Sequence, residues 1–400
     1  MLSASTRRLT AACAALGALM ALPVGLAPSA AAADVQSQQW YLSAMKADEM
    51  WKTSTGKGVK VAVVDSGVNP STPSLQGQVL ADEVPKALAH GATQDISGHG
   101  TTMAEEIAGT GRGGGLKGLA PGAKIVPYRV ALRGMSLDQE NKAPELRKVI
   151  RAIADSDVKI INMSFGDDIS YDGEQEAFKY AASKGKLMFA AVGNNAKSSN
   201  KAGYPVSYPY VVGVSAVDKT ATVGKFSNHG YSVDLAAPGV DLPAWCNAKF
   251  QSYCSVNGTS DATAIASASA ALIWSAHPDW TANQVLSSLI DTASRQWPKD
   301  TPSSYLGYGV IRPRKVLENS HFNPGSANVD PLAVEDGVAK PKTSPSAPAK
   351  STSGGETSAA ADTSSKSSGN NLTWVVVGAA AALVVIGGAA FAVIRSRRRA

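Results

Sequence analysis

The stretch Lys60-Val61-Ala62-Val63-Val64-Asp65-Ser66-Gly67 decides how the rest of the chain is read. Val61 to Val64 form an unbroken apolar run that ends at a carboxylate and then at a glycine. A strand apolar on both sides suits a parallel sheet covered on both faces, where a half-exposed strand would alternate. Comparable runs, mostly bounded by Gly, Asp or Asn, recur at Ile125–Arg129, Lys159–Met163, Leu187–Val192 and Val211–Val217. Ala143–Ser156 and Glu174–Lys184 suit helices between them. The expected fold class is therefore α/β, a doubly wound, mainly parallel sheet with helices on both faces. Such sheets carry their functional groups at the carboxyl ends of the strands, which makes Asp65 a candidate.

Two further segments share this chemical promise. Gly98-His99-Gly100-Thr101 places a histidine between two glycines, with helical sequence following through Thr102–Ile107. Asn257-Gly258-Thr259-Ser260-Asp261-Ala262-Thr263 places a serine at the start of a small-residue helix, Ala262 to Ala271. Each alone has an ordinary explanation, as a strand-end aspartate, an exposed histidine and a helix-capping serine. Together they supply a working set. A serine hydroxyl attacks only when a histidine takes its proton, and that histidine needs a carboxylate to fix its tautomer.

In this order, Asp65…His99…Ser260, the motifs resemble those of the subtilisin-like serine proteases, the subtilases, across nearly the whole middle of the chain. The resemblance implies a serine endopeptidase acting through an acyl-enzyme. Ile161-Asn162-Met163-Ser164-Phe165-Gly166 resembles the strand that binds the substrate backbone and one wall of the specificity pocket. Ala190-Ala191-Val192-Gly193-Asn194 resembles the segment whose asparagine completes the oxyanion hole, which implies a catalytic role for Asn194 beside the substrate-binding Gly193. Gly203 matches a small residue at the pocket floor. Triad chemistry requires no cofactor. The family often binds structural calcium, but no ligand cluster or other metal site is evident in the sequence.

Departures from the family pattern are informative. Asp261 stands where the serine motif usually continues with methionine, and its charge close to a developing oxyanion is expected to lower turnover. Thr102 and Glu105 replace a second histidine and a helix-packing glycine after His99, so packing there should differ. From Asp34 to the strand at Lys60 there are 26 residues (60 − 34), too few for a folded prodomain. That layout resembles the mycosins, subtilases associated with type VII secretion, and implies secretion components as partners.

The two ends differ from the middle. Residues 1–33, with Arg7, Arg8, an apolar run and the alanines up to Ala33, read as a secretory signal peptide. Residues 34–58 form a short N-terminal extension and 59–323 the catalytic domain. The Ser/Pro/Ala-rich 324–371 reads as a flexible linker of 48 residues (371 − 324 + 1), with a span of about 40 Å as a coil. Leu372–Ile394 is uncharged and long enough for a transmembrane helix. Arg395, Arg397, Arg398 and Arg399 in the tail 395–400 should stay cytoplasmic, placing the catalytic part outside the cell membrane. The formal charge of +6 is matched by six arginines in the signal peptide and tail, so nucleic acid is not an expected partner. Cys246 and Cys254, left as an even pair after signal removal, are expected to form a disulfide. The expected partners are a peptide or protein substrate and, through the helix, the membrane. The rival reading is a catalytically weak scaffold or binding subunit of a secretion apparatus.

Overall fold

The computed structural model describes residues 35–334 and 336–338. The signal peptide and transmembrane helix expected from sequence lie outside these residues. Among the described residues no helix is long and apolar enough to cross a membrane.

Six strands form one parallel sheet: β1 Lys60–Asp65, β2 Lys124–Arg129, β3 Ile160–Met163, β4 Leu187–Ala191, β5 Val211–Val217 and β6 Leu235–Pro238. Their spatial order is β2-β1-β3-β4-β5-β6. A separate antiparallel pair, β7 Val240–Trp245 and β8 Tyr253–Asn257, forms a hairpin. The α-helices are α1 Trp40–Ala44, α2 Ala47–Met50, α3 His99–Ala108, α4 Leu137–Lys142, α5 Leu146–Ala154, α6 Glu174–Ser183, α7 Thr259–Ala276, α8 Ala282–Thr292 and α9 Pro313–Leu317.

Side chains alternate across the sheet, because successive Cβ atoms of a strand point to opposite faces. Val61 and Val63 join Ile107, Ile265 and Leu272 on the face covered by α3 and α7. Ala62 and Val64 join Val149, Ile153 and Phe178 on the face covered by α5 and α6. Both faces are therefore closed by apolar layers, and apart from Lys60 and Lys124 at their starts the strands of this sheet are buried, as their sequence requires.

The chain passes from β1 to β2 on one side, then crosses to β3 on the other side of β1. The carboxyl ends of β1 and β3 thus flank the point where winding reverses, where open α/β sheets form a crevice. Asp65 ends β1, and Ser164 follows β3.

Three local differences from expectation have physical causes. The helix expected at Ala143–Ser156 starts at Leu146, because Pro144 holds Ala143 extended (ψ 138°) and Glu145 is extended too (ψ 133°). Ahead of it, Ser136 and Gln139 form a reciprocal cap that starts the separate helix α4. The segment 35–58 packs into the domain rather than standing apart from it. Tyr41, Ala47 and Met50 belong to the main core, and the indole of Trp40 donates to Val240 O at 2.9 Å. At the other end, packing continues past residue 323: Leu332 is buried in the same core, and Asp336 accepts from Tyr210 N at 2.7 Å.

Candidate active site

Asp65 is fully buried, and one oxygen does most of its bonding. Asp65 Oδ1 accepts from Ser66 N at 2.7 Å and lies 2.8 Å from His99 Nδ1. With Nδ1 donating to the carboxylate, Nε2 is the basic nitrogen of the neutral ring. Two features set this distance. His99 is the first residue of α3, and a Cβ on Gly100 would strike Gly67 O and Asp65, so only glycine lets the helix come this close.

Asp95 does not stand out in the sequence, yet it organises the approach. Its Oδ1 accepts from Ser66 Oγ at 2.8 Å and Gly98 N at 2.9 Å. Its Oδ2 accepts from Thr101 N at 2.8 Å and from the Thr101 hydroxyl at 2.6 Å. It thereby satisfies open N–H groups at the start of α3 and ties that helix to the end of β1. An acid four residues ahead of the histidine, before a helix, is the available signal.

Ser260 is the second residue of α7, and its hydroxyl donates to Ser164 O at 2.8 Å. Ser164 Oγ returns the bond by donating to Ser260 O at 2.8 Å. Asn162 Nδ2 supports Ser164 Oγ at 3.0 Å, and Ser267 Oγ donates to Asn162 Oδ1 at 3.0 Å. This buried chain, which the sequence does not reveal, fixes α7 to β3. Among the described hydrogen bonds, none joins Ser260 to His99. The structure therefore pairs Asp65 with His99 directly and holds the Ser260 hydroxyl on the neighbouring strand end.

Asn194 follows β4 with its side chain oriented by α7. Its Oδ1 accepts from Thr259 N at 3.0 Å and Thr259 Oγ1 at 2.9 Å. Both acceptor contacts fall on the oxygen, which leaves the Nδ2 amide as a donor on an exposed residue. The backbone N–H of Ser260 lies in the first turn of α7, where N–H groups lack intrahelical partners.

Phe165 and Gly166 line a cleft of about 930 Å³, together with Tyr204, Tyr171, Ile169 and Arg133. Gly203 does not line it. Gly203 faces the carbonyl of Asp167, and a Cβ there would sit 2.5 Å from that oxygen. It serves a backbone pairing in which Asp167 N donates to Tyr204 O at 2.8 Å and Tyr204 N to Asp167 O at 2.7 Å. Gly193 N donates to Thr259 Oγ1 at 3.2 Å, which joins the end of β4 to the start of α7.

Asp261, the residue after Ser260, is buried, and a Cβ on Gly258 would strike its Oδ2. It turns inward beside Glu106 of α3. Glu105, one residue earlier, accepts from Thr72 Oγ1 at 2.7 Å and from Tyr253 OH at 3.0 Å, and burial pushes its carboxyl up to about 7. The β7–β8 hairpin closes this side. Cys246 and Cys254 are joined as a disulfide with Cα atoms 5.1 Å apart, and Trp245 N donates to Thr102 Oγ1 at 3.0 Å. Among the described residues, no group of three or more His, Cys, Asp or Glu is arranged to hold a metal ion.

His99 has a definite electrostatic setting. Burial disfavours its charged form, but Asp65, by charge and hydrogen bond, outweighs that, and Asp261 and Asp95 add to it. The ring is pushed up to about 9. Its side chain is 39 % exposed, so water screens part of this effect. A base works only when deprotonated, so kcat/KM is expected to rise with pH along a limb centred above the ordinary histidine value of about 6.5. A pH–rate profile centred at or below that value would refute the assignment.

The subtilase family profile matches residues 56–309. Subtilisin E of Bacillus subtilis is 34% identical over 282 residues, covering 69% of this chain and 70% of that protein. Subtilisin of Bacillus pumilus is 33% identical over 282 residues, covering 69% of this chain and 97% of that protein. Among solved structures, MycP1 from Mycobacterium smegmatis aligns with a TM-score of 0.57 at 25% identity, over 72% of this chain and 86% of that one. The MycP3 protease from the type VII (ESX-3) secretion system aligns with a TM-score of 0.57 at 28% identity, over 69% and 87%. The chain belongs to the subtilase family of serine endopeptidases, and within that family it is mycosin-like.

Proposed function

We propose that this chain is a membrane-anchored, outward-facing endopeptidase that carries out processing for, or otherwise supports, type VII secretion. The observation that carries the catalytic part is the 2.8 Å contact between Asp65 and His99 at the sheet's switch point, where α7 also presents Ser260. The uncharged run 372–394 with its arginine tail supports the anchor. The likeness to proteins described as type VII secretion proteases supports the setting.

The mechanism follows from the side chains. Rotation of Ser260 about χ1 frees its hydroxyl from Ser164 O and directs it to His99 Nε2. His99 accepts the proton as Ser260 Oγ attacks the scissile carbonyl, and Asp65 stabilises the resulting imidazolium. Asn194 Nδ2 and Ser260 N–H bind the oxyanion. His99 then protonates the leaving amine, and water, deprotonated by the same ring, releases the acyl group. Phe165 and Gly166 place the acyl side of the substrate along the cleft. No step is routed through a metal or cofactor.

Fluorophosphonate labelling is the direct test. The full chain is expected to take up one label, which Ser260→Ala abolishes. Folded protein that stays unlabelled would favour the scaffold reading instead.

A further inference from the structure

Glu106 lies two helical turns after His99 on α3, and so on the same face of that helix. It is fully buried, and Asp261 beside it is 3 % exposed. The two carboxyl groups face each other where α3 packs on α7. If both were ionised, each would be an acceptor only. Glu106 Oε1, Glu106 Oε2 and Asp261 Oδ1 would then all be buried without a donor. Two unpaired buried carboxylates in contact are far less stable than a pair that retains one proton. Other titratable groups face the pair or His99. Tyr41 on α1 and Glu105 on α3 face the pair. Tyr253 of β8 bonds to Glu105, and Asp65 and Asp95 face His99. The cationic neighbour of Asp261 is His99 itself.

We propose that Glu106 is a positioning residue for the hydrolysis, sharing one proton with Asp261 and so fixing a single negative charge beside His99. The proton rests on Glu106, the more deeply buried partner, and Asp261 stays ionised towards the imidazole. Burial pushes both carboxyls above their usual range, which fits a shared proton at neutral pH. Asp261 is thus a further carboxylate acting on His99, beside Asp65 and Asp95. It holds the ring protonated to higher pH and delays the appearance of the base. A residue buried beneath the site would in this way lower turnover at neutral pH. The inference rests on His99 being the base, so its test does not depend on turnover.

The His99 titration can be followed by NMR in the full chain carrying Ser260→Ala and labelled at histidine, with His99→Gln for assignment. Adding Asp261→Asn leaves a neutral pair and should lower the His99 midpoint by about one pH unit. Adding Glu106→Gln instead keeps an amide donor on an ionised Asp261 and should leave the midpoint in place. Infrared spectra recorded at about pH 8 to 9, where Glu105 is ionised, should show a protonated carboxyl band that Glu106→Gln removes. In the active chain, the acid limb of kcat/KM should follow the midpoint, giving about a tenfold gain for Asp261→Asn at a fixed pH on that limb. The proposal is overturned if Asp261→Asn leaves the midpoint unmoved, if Glu106→Gln lowers it as far, or if the band is missing. An inactive chain whose His99 midpoint still shifts would refute the peptidase reading and leave the carboxyl pair intact.

Discussion

Ser260→Ala is expected to lower kcat by about six orders of magnitude, the size of loss known for the subtilisin triad itself. The loss is that large because the triad acts as a unit. Without Oγ, His99 has no proton to take and Asp65 no charge to balance. Folding should hardly suffer. The substitution removes one hydrogen bond, that from Ser260 Oγ to Ser164 O, worth about 1 kcal/mol. The reciprocal bond from Ser164 Oγ to the Ser260 carbonyl remains. Steady-state hydrolysis of a peptide, measured beside a thermal melt, checks both halves. Activity within about a hundredfold of the native chain would show that another group attacks the carbonyl.

The second large effect is at Asn194, where two roles can be separated. The amide donor should be worth about 3–4 kcal/mol in the transition state, or roughly 10²–10³ in kcat with KM little changed, again a subtilisin magnitude. The acceptor, Oδ1, takes the N–H of Thr259 at the start of α7, a capping contact worth about 1 kcal/mol of stability. Asn194→Ala should lose both, lowering kcat and the melting temperature together. Asn194→Asp keeps the acceptor and removes the donor, so it should lose kcat and retain the melting temperature. If Asn194→Asp kept kcat, the oxyanion would have to be held elsewhere.

How much of the fold is legible in the sequence depends on the local chemistry. Strands β1 to β5 fall within a residue of the expected runs at every end, because Val, Ile and Ala without interruption fit only a sheet closed on both faces. Strand β6 escapes such a reading, since Leu235-Ala-Ala-Pro238 is short and ends in proline. The β7–β8 hairpin escapes it too. Pro243 lies within β7, and Asp241 has a φ of +55° at an irregular register, so no alternating pattern survives. The candidate residues Asp65, His99, Asn194 and Ser260 are legible because glycine and small residues flank them. Asp95, Asn162 and Ser267 are not, because their work is to bond other side chains and backbone, and the partners that tie elements together, Ser66 for Asp95 and Ser267 for Asn162, lie far off in sequence. Glu106 shows the same limit: a glutamate within a helix looks like a solvated surface charge until the fold buries it against Asp261.

The N-terminal segment has a practical bearing on where a working fragment can start. A recombinant chain trimmed to residue 56, the first position of the family match, would lose Tyr41, Ala47 and Met50 from the core. It would also lose the Ser54 hydroxyl that caps Leu272 O at 2.7 Å within the central helix α7. Removing large buried side chains costs about 2–5 kcal/mol each, against a total stability of about 5–15 kcal/mol. Proteolytic loss of the segment up to residue 50 is therefore expected to inactivate the chain by unfolding, with the catalytic groups chemically untouched.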